Sequence, residues 1–224
     1  MTANLRLIIF DVDGTLVDSQ GDIVASMTAA FQAEGHKVPS RAQILSIVGL
    51  SLEVAIPQLV PGLDEAAYVR MVEAYKSAYM QLRASQGTQQ SSPLYPGIRA
   101  VLDELNAVPE FLLGVATGKS RRGLDALLAG HQMERLFLTQ QVADHHPSKP
   151  HPAMLEAALN ETGIDRQNAV MIGDTEYDMT MARAAGVHAI GVSWGYHGLD
   201  RLDLADKLVH SVADLPGAIR TVWE

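Results

Sequence analysis

The chain contains no cysteine. This excludes disulfides, thiolate metal sites and cysteine nucleophiles, and it fits a reducing compartment, so a cytoplasmic location is expected. Basic charge is also short, with 17 Lys plus Arg against 26 Asp plus Glu and a formal net charge of -9. Such a balance gives no nonspecific attraction to phosphate backbones or anionic lipid. Neither nucleic acid nor a membrane is expected as a partner; a small molecule or a cation is. Long apolar runs are missing as well. The first, Leu7 to Phe10, is too short for a signal-peptide core, and none approaches the roughly 18 residues of a bilayer span. What the 224 residues do allow is one sizeable domain, or one carrying a smaller insert, with a core that needs no staples. No feature of the pattern speaks to oligomeric state.

Short apolar runs alternate with segments of helical period. Leu5 to Phe10, Phe111 to Ala116, Ala169 to Ile172 and Val187 to Val192 have the length and two-sided apolar character of strands buried in a parallel sheet. Between them, Gly97 to Leu105, Ser120 to Leu128, Pro152 to Leu159 and Asp178 to Ala185 space their apolar residues three or four apart, as helices do. The alternation predicts an α/β fold with a doubly wound parallel sheet. From Leu16 to Ser92 the rhythm stops. That interval shows helical patterns at Ile23 to Phe31, Ala42 to Val48 and Glu65 to Leu82 and no buried strand, which predicts a helical insert after the first strand. The expected division is therefore a core of residues 1–15 and 93–224 and an insert of 16–92. The polar stretch Ser85 to Pro93 suits a hinge or linker.

Asp11 and Asp13 close the first strand, where ligands of open α/β sheets bind, and Gly14 lets the chain turn just after them. Positions i and i+2 of a strand can face the same way. A turn and a helix cap explain Asp11, Gly14 and Thr15 equally well. A second strand, Val170 to Ile172, ends in Gly173-Asp174, with Asp178 four residues later. If the strands are parallel neighbours, the aspartates gather at one sheet edge. Such a cluster repels itself unless protons or a cation neutralise it, and an all-oxygen set suits Mg²⁺ better than zinc. Helix capping by Asp174 and Asp178 is the plainer alternative.

Thr117-Gly118 ends a further strand and opens a helix, offering a hydroxyl and free N–H groups to an anion, though Thr117 or Ser120 could simply be an N-cap. Lys149 stands between prolines just before a helix, either as a point charge for a phosphoryl group and the carboxylates or as a solvated surface residue. His145, His146 and His151 fit a polar loop and receive no role.

Together and in this order, these residues resemble the four motifs of the haloacid dehalogenase superfamily of phosphohydrolases: Asp11-Val12-Asp13-Gly14-Thr15, Thr117 after an apolar strand, Lys149, and Gly173-Asp174 with Asp178. The resemblance runs from residue 8 to about 193. The insert looks like the C1-type cap of the branch that holds phosphoglycolate phosphatases and β-phosphoglucomutases, as do Tyr95-Pro96-Gly97-Ile98 and Lys149-Pro150-His151-Pro152.

The resemblance implies a Rossmann-like core and a Mg²⁺-dependent phosphatase of small phosphorylated metabolites. It implies Asp11 as nucleophile through an aspartyl-phosphate, Asp13 as general acid and base, and Thr117, the Gly118 N–H and Lys149 on the phosphoryl oxygens. It further implies a metal held by Asp11, Asp13 through its main-chain carbonyl, Asp174 and Asp178. Asp13 sets the chain apart from dehalogenases and P-type ATPases. A phosphomutase and a catalytically silent binding module are the alternatives. Gly49 and Ser51 match a cap loop that leans on substrate, and Lys119, Arg121 and Arg122 could meet a substrate carboxylate or form a solvated helix face. Thr117-Gly118-Lys119 departs from the Thr-Asn-Lys of many phosphoglycolate phosphatases, which weakens that substrate assignment.

Overall fold

The computed structural model describes residues 5–224. Its first strand, β1 (Arg6–Phe10), has Leu7, Ile8, Ile9 and Phe10 wholly buried, so both of its faces need a covering layer. After β1 the chain leaves the sheet through Leu16–Asp18 and enters five helices: α1 (Gln20–Ala33), α2 (Arg41–Leu45), α3 (Leu52–Leu59), α4 (Glu65–Gln86) and α5 (Thr88–Ser91). Ile23, Met27 and Phe31 of α1, Ile44 of α2, Ile56 of α3 and Met71 of α4 form a hydrophobic cluster of their own. Side-chain caps start two of the five helices where they begin. Ser40 and Gln43 make a reciprocal capping box for α2, and the Asp64 carboxylate accepts the Ala67 N–H at 2.7 Å at the start of α4.

The outgoing and returning chains run side by side. The Asp18 N–H donates to Pro93 O at 2.9 Å and the Tyr95 N–H to Leu16 O at 3.0 Å, with Val17 bridged to Leu94. The remaining elements are α6 (Ile98–Asn106), β2 (Phe111–Thr117), α7 (Arg121–Gly130), β3 (Thr139–Val142), α8 (Ala153–Thr162), β4 (Ala169–Gly173), α9 (Glu176–Ala185), β5 (His188–Val192), β6 (Lys207–Val209) and α10 (Leu215–Thr221).

The sheet order is β3-β2-β1-β4-β5-β6, and every pairing is parallel. Because side chains alternate along a strand, Ile8 and Phe10 pack with Leu102 of α6, Leu124 of α7 and Ile219 of α10. Leu7 and Ile9 pack on the other face with Leu155 of α8 and Met179 of α9. This is the doubly wound sheet that the alternating pattern predicts.

Three expectations need correction. The sheet has six strands among the described residues rather than four. β3 reads Thr-Gln-Gln-Val and β6 has only three residues, and both lie at sheet edges, where a continuous apolar run is not required. The helix α3 has no clear signal in the sequence because Pro57 interrupts its period. Ser85 to Pro93 is no slack linker either. It contains the end of α4 and all of α5, and Thr88 lies where a side chain on Gly130 would be, with 2.4 Å from the Thr88 Cβ to a Cβ built there. His131 Nε2 also lies 2.8 Å from Ser92 O, fixing the returning chain to the sheet half.

Candidate active site

Three central strands end together. The parallel register sets Phe10 beside both Val115 and Ile172, so the residues that follow β1, β2 and β4 emerge at one edge. Asp11 and Asp174 are such residues, Thr117 is the last residue of β2 itself, and each is at most 1% exposed. Lys149, in the segment before α8, and Asp178, in the first turn of α9, complete the group.

One carboxylate oxygen from each of Asp11, Asp174 and Asp178 lies within 4.8 Å of the others. The Lys149 ammonium donates to Asp11 Oδ1 at 2.8 Å and to Asp178 Oδ1 at 2.7 Å. Thr175 donates to Asp178 Oδ2 from its hydroxyl at 2.7 Å and its N–H at 3.1 Å, so Asp178 does close a capping box, but its other oxygen serves the cluster. Asp174 accepts the Thr15 hydroxyl at 3.0 Å and the Tyr196 N–H at 2.7 Å. Gly195 is confined to glycine by the same packing, since a Cβ there would stand 2.2 Å from the Asp174 Cβ.

One oxygen is left over. Asp11 Oδ2 is buried and has no hydrogen-bond partner. Burial, against the pull of Lys149 and with the push of Asp178 and Asp13, raises the Asp11 carboxyl to about 7. Burial and the neighbouring carboxylates of Asp11 and Asp178 also raise Asp174 well above the usual carboxylate range. Burial alone would depress the Lys149 ammonium, but Asp11 and Asp178 outweigh it and hold the proton. A buried orphan oxygen amid three carboxylates and one lysine is a donor set short of positive charge, and a hard divalent cation fits it.

Asp13 turns a different way. Its carboxylate accepts from the Ser19 hydroxyl and lies 2.9 Å from the Lys119 ammonium, outside the three-carboxylate cluster. The expectation of like-charge neighbours for Asp13 is thus replaced by a cation in contact. Lys119 itself is not on a solvated face. Its side chain is 10% exposed, 3.4 Å from the Tyr79 hydroxyl and over the Tyr79 ring, and its ammonium is held well up because Asp13 and Tyr79 outweigh the burial. Arg121 is spent on β3, with Nη1 donating to Gln140 Oε1 at 2.8 Å, while Arg122 is exposed.

Thr117 Oγ1 accepts the Lys119 N–H at 3.2 Å, and the N-cap of α7 is Ser120, which accepts the Gly123 N–H. Gly118 meets the helical half directly: a Cβ built on it would lie 2.7 Å from Gly49 O and 2.9 Å from Leu50 O. Gly49 has a φ of 103°, which favours glycine, and sits against Thr175. The Ser51 N–H donates to Ser148 Oγ at 2.9 Å, next to Lys149. Two core side chains also grip the Ser46 carbonyl, Tyr177 through its hydroxyl at 3.1 Å and His197 through Nε2 at 3.1 Å. A cavity of about 210 Å³ remains between the halves, bordered by Asp11, Asp13, Thr117, Gly118 and Gly49 and continuing between α1 and α4.

Ser19, Tyr79, Ser148, Gly195 and Tyr196 carry no site signal in the sequence. Thr15 adjoins the first aspartates and was readable only as a turn residue. Gly195 and Tyr196 lie in a loop after β5 with no period or spacing to mark them.

The haloacid dehalogenase-like hydrolase family model matches residues 8–192. A relative in Dickeya dadantii (strain 3937), described as probable phosphatase IndB, is 34% identical over 95% of this chain and 92% of its own. A phosphoglycolate phosphatase of Pseudomonas fluorescens (strain Pf0-1) is 30% identical over 98% of this chain and 82% of its own. A haloacid dehalogenase-like hydrolase structure from Streptococcus pneumoniae aligns at a TM-score of 0.80 with 26% identity, covering 97% of this chain and 99% of the other.

Proposed function

The chain belongs to the haloacid dehalogenase-like hydrolase family, and from that premise we propose that it is a cytoplasmic Mg²⁺-dependent phosphatase of small phosphomonoesters, phosphoglycolate-like compounds among them. The observation that carries this reading is Asp11 Oδ2, a buried carboxylate oxygen with no hydrogen bond, on a residue that borders the cavity.

Asp11, Asp174, Asp178 and the main-chain carbonyl of Asp13 would hold Mg²⁺. When bound, the ion neutralises carboxylate and phosphoryl charge and so favours an ionised Asp11. Asp11 Oδ2 attacks phosphorus, forming the aspartyl-phosphate as the bond to the alcohol oxygen breaks. Asp13 gives that oxygen its proton. Asp13 then takes a proton from water as the water oxygen attacks phosphorus, which releases inorganic phosphate and restores Asp11. Thr117, the Gly118 N–H and Lys149 bind the phosphoryl oxygens over which charge spreads, so positioning and neutralisation supply most of the rate. The helices from 16 to 92 act as a cap. Gly49 and Leu50 close over Gly118 and exclude bulk water, with Ser51 fastened to the Ser148 side chain beside Lys149.

The test is phosphate release from p-nitrophenyl phosphate and phosphoglycolate with Mg²⁺ and with chelator, in the native protein and in Asp11→Asn. Activity that needs Mg²⁺ and vanishes in Asp11→Asn is expected. Activity surviving Asp11→Asn would end the covalent mechanism, and isomerised product without free phosphate from a sugar phosphate would mean a mutase.

A further inference from the structure

The cavity above the aspartates is larger and more apolar than a two-carbon acid requires. Ile23 and Met27 of α1, Val48, and Tyr75, Tyr79 and Met80 of α4 form its far wall. Tyr75 and Tyr79 stack with centroids 6.0 Å apart, and burial pushes the Tyr75 phenol well up, so the wall gains no charge from it. An apolar cavity of about 150 Å³ is enough to take up benzene. The volume here, about 210 Å³, must also hold the phosphoryl group and still leaves ring-sized room.

A carboxylate on the substrate would need a cation, because burying it unpaired against such a wall is costly. Of the basic residues bordering the cavity, Lys119 is in contact with Asp13 at 2.9 Å, and Lys76 lies 3.7 Å from both Glu53 and Glu73. Arg122 is exposed and Arg83 half-buried, and neither is in a salt bridge among the described residues, so the shape and apolarity of the wall, and not a want of cations, select the alcohol.

We propose that the substrate is a phosphomonoester whose alcohol carries a ring-sized apolar body, seated between α1 and α4 against Tyr75. This rests on the phosphatase reading of the same site. The shape of the wall selects the alcohol, and the aspartates act on the phosphoryl group whatever it is attached to.

The test compares kcat/KM for 2-phenylethyl phosphate, ethyl phosphate and phosphoglycolate on the native protein with Mg²⁺. The first two are esters of unactivated primary alcohols, so their difference reports binding of the ring. A kcat/KM for 2-phenylethyl phosphate at least tenfold above both others is expected, with most of the gain over ethyl phosphate in KM. Equal or better turnover of ethyl phosphate or phosphoglycolate overturns the inference and leaves the phosphatase reading standing. No turnover of any of the three overturns both.

Discussion

Lys149 sets its ammonium 2.8 Å from Asp11 Oδ1, and the two side chains are 0% and 2% exposed. Neither charge is solvated, so each depends on the other. Asp178, at 2.7 Å from the same nitrogen, ties the strand after which Asp11 stands to the helix α9.

Replacing Lys149 by Met keeps the bulk and removes the charge. Two buried carboxylates then lose their cation, a change that typically costs on the order of 3 kcal/mol. Phosphatase activity should fall at least a hundredfold, since the phosphoryl oxygens lose their neutralising group as well. The pH dependence gives a sharper check. In Lys149→Met, Asp11 loses the cation that pulls its carboxyl down, so it keeps its proton above a pH of about 7, where the native Asp11 gives it up, and the penalty grows as pH rises through that value. Denaturant titrations of the two proteins at pH 7 and pH 9 should show the stability gap narrower at pH 7. An equal gap would mean that the ion pair is not what Lys149 contributes.

The elements readable from sequence are those whose reasons are local. β1 and β4 are unbroken apolar runs followed by Asp11 and by Gly173-Asp174, and the same residues that terminate the strand carry the chemistry. β3 is held by edge pairing with β2 and by Gln141 Nε2 donating to Glu161 of α8 at 2.8 Å, a contact with no trace in its own Thr-Gln-Gln-Val. Lys119 shows the same limit at the site. Its spelling fits a solvated helix start, and only the arrival of Tyr79 from α4 on one side and Asp13 on the other buries it. Tyr196 reaches Asp174 through its main-chain N–H, which any residue but proline could supply, so residue type gave no clue.

Gly118 tests whether the two halves must touch. Its backbone lies outside the left-handed region, so alanine is conformationally acceptable, and the N–H aimed at phosphate is retained. The added methyl, however, would meet the Gly49 and Leu50 carbonyls at 2.7 and 2.9 Å, closer than such atoms approach. The loop must withdraw, at a cost of about 1–3 kcal/mol to the closed arrangement. Gly118→Ala should therefore lower kcat/KM at least tenfold, while the melting temperature moves by only a few degrees. Full activity would show that seating this loop on Gly118 is not required for turnover.

His197 joins the halves in a way that depends on pH. The Glu176 N–H donates to its Nδ1 at 3.2 Å, so Nε2 carries the hydrogen and donates to Ser46 O. Burial, with the nearby Arg201 cation and against Glu176 and Asp178, lowers the ring to about 4, and the residue is 4% exposed. The unfolded chain thus binds this proton near pH 6.5 and the folded protein only near 4. Between those values the unfolded state holds more protons, so stability falls as pH falls, by on the order of 3 kcal/mol in all from this one group. His197→Gln cannot take up that proton. Urea midpoints measured from pH 7 to pH 4 should decline more steeply for the native protein than for His197→Gln, with the curves diverging below about 6.5. Parallel curves would show that His197 is not held neutral between the Glu176 N–H and the Ser46 carbonyl.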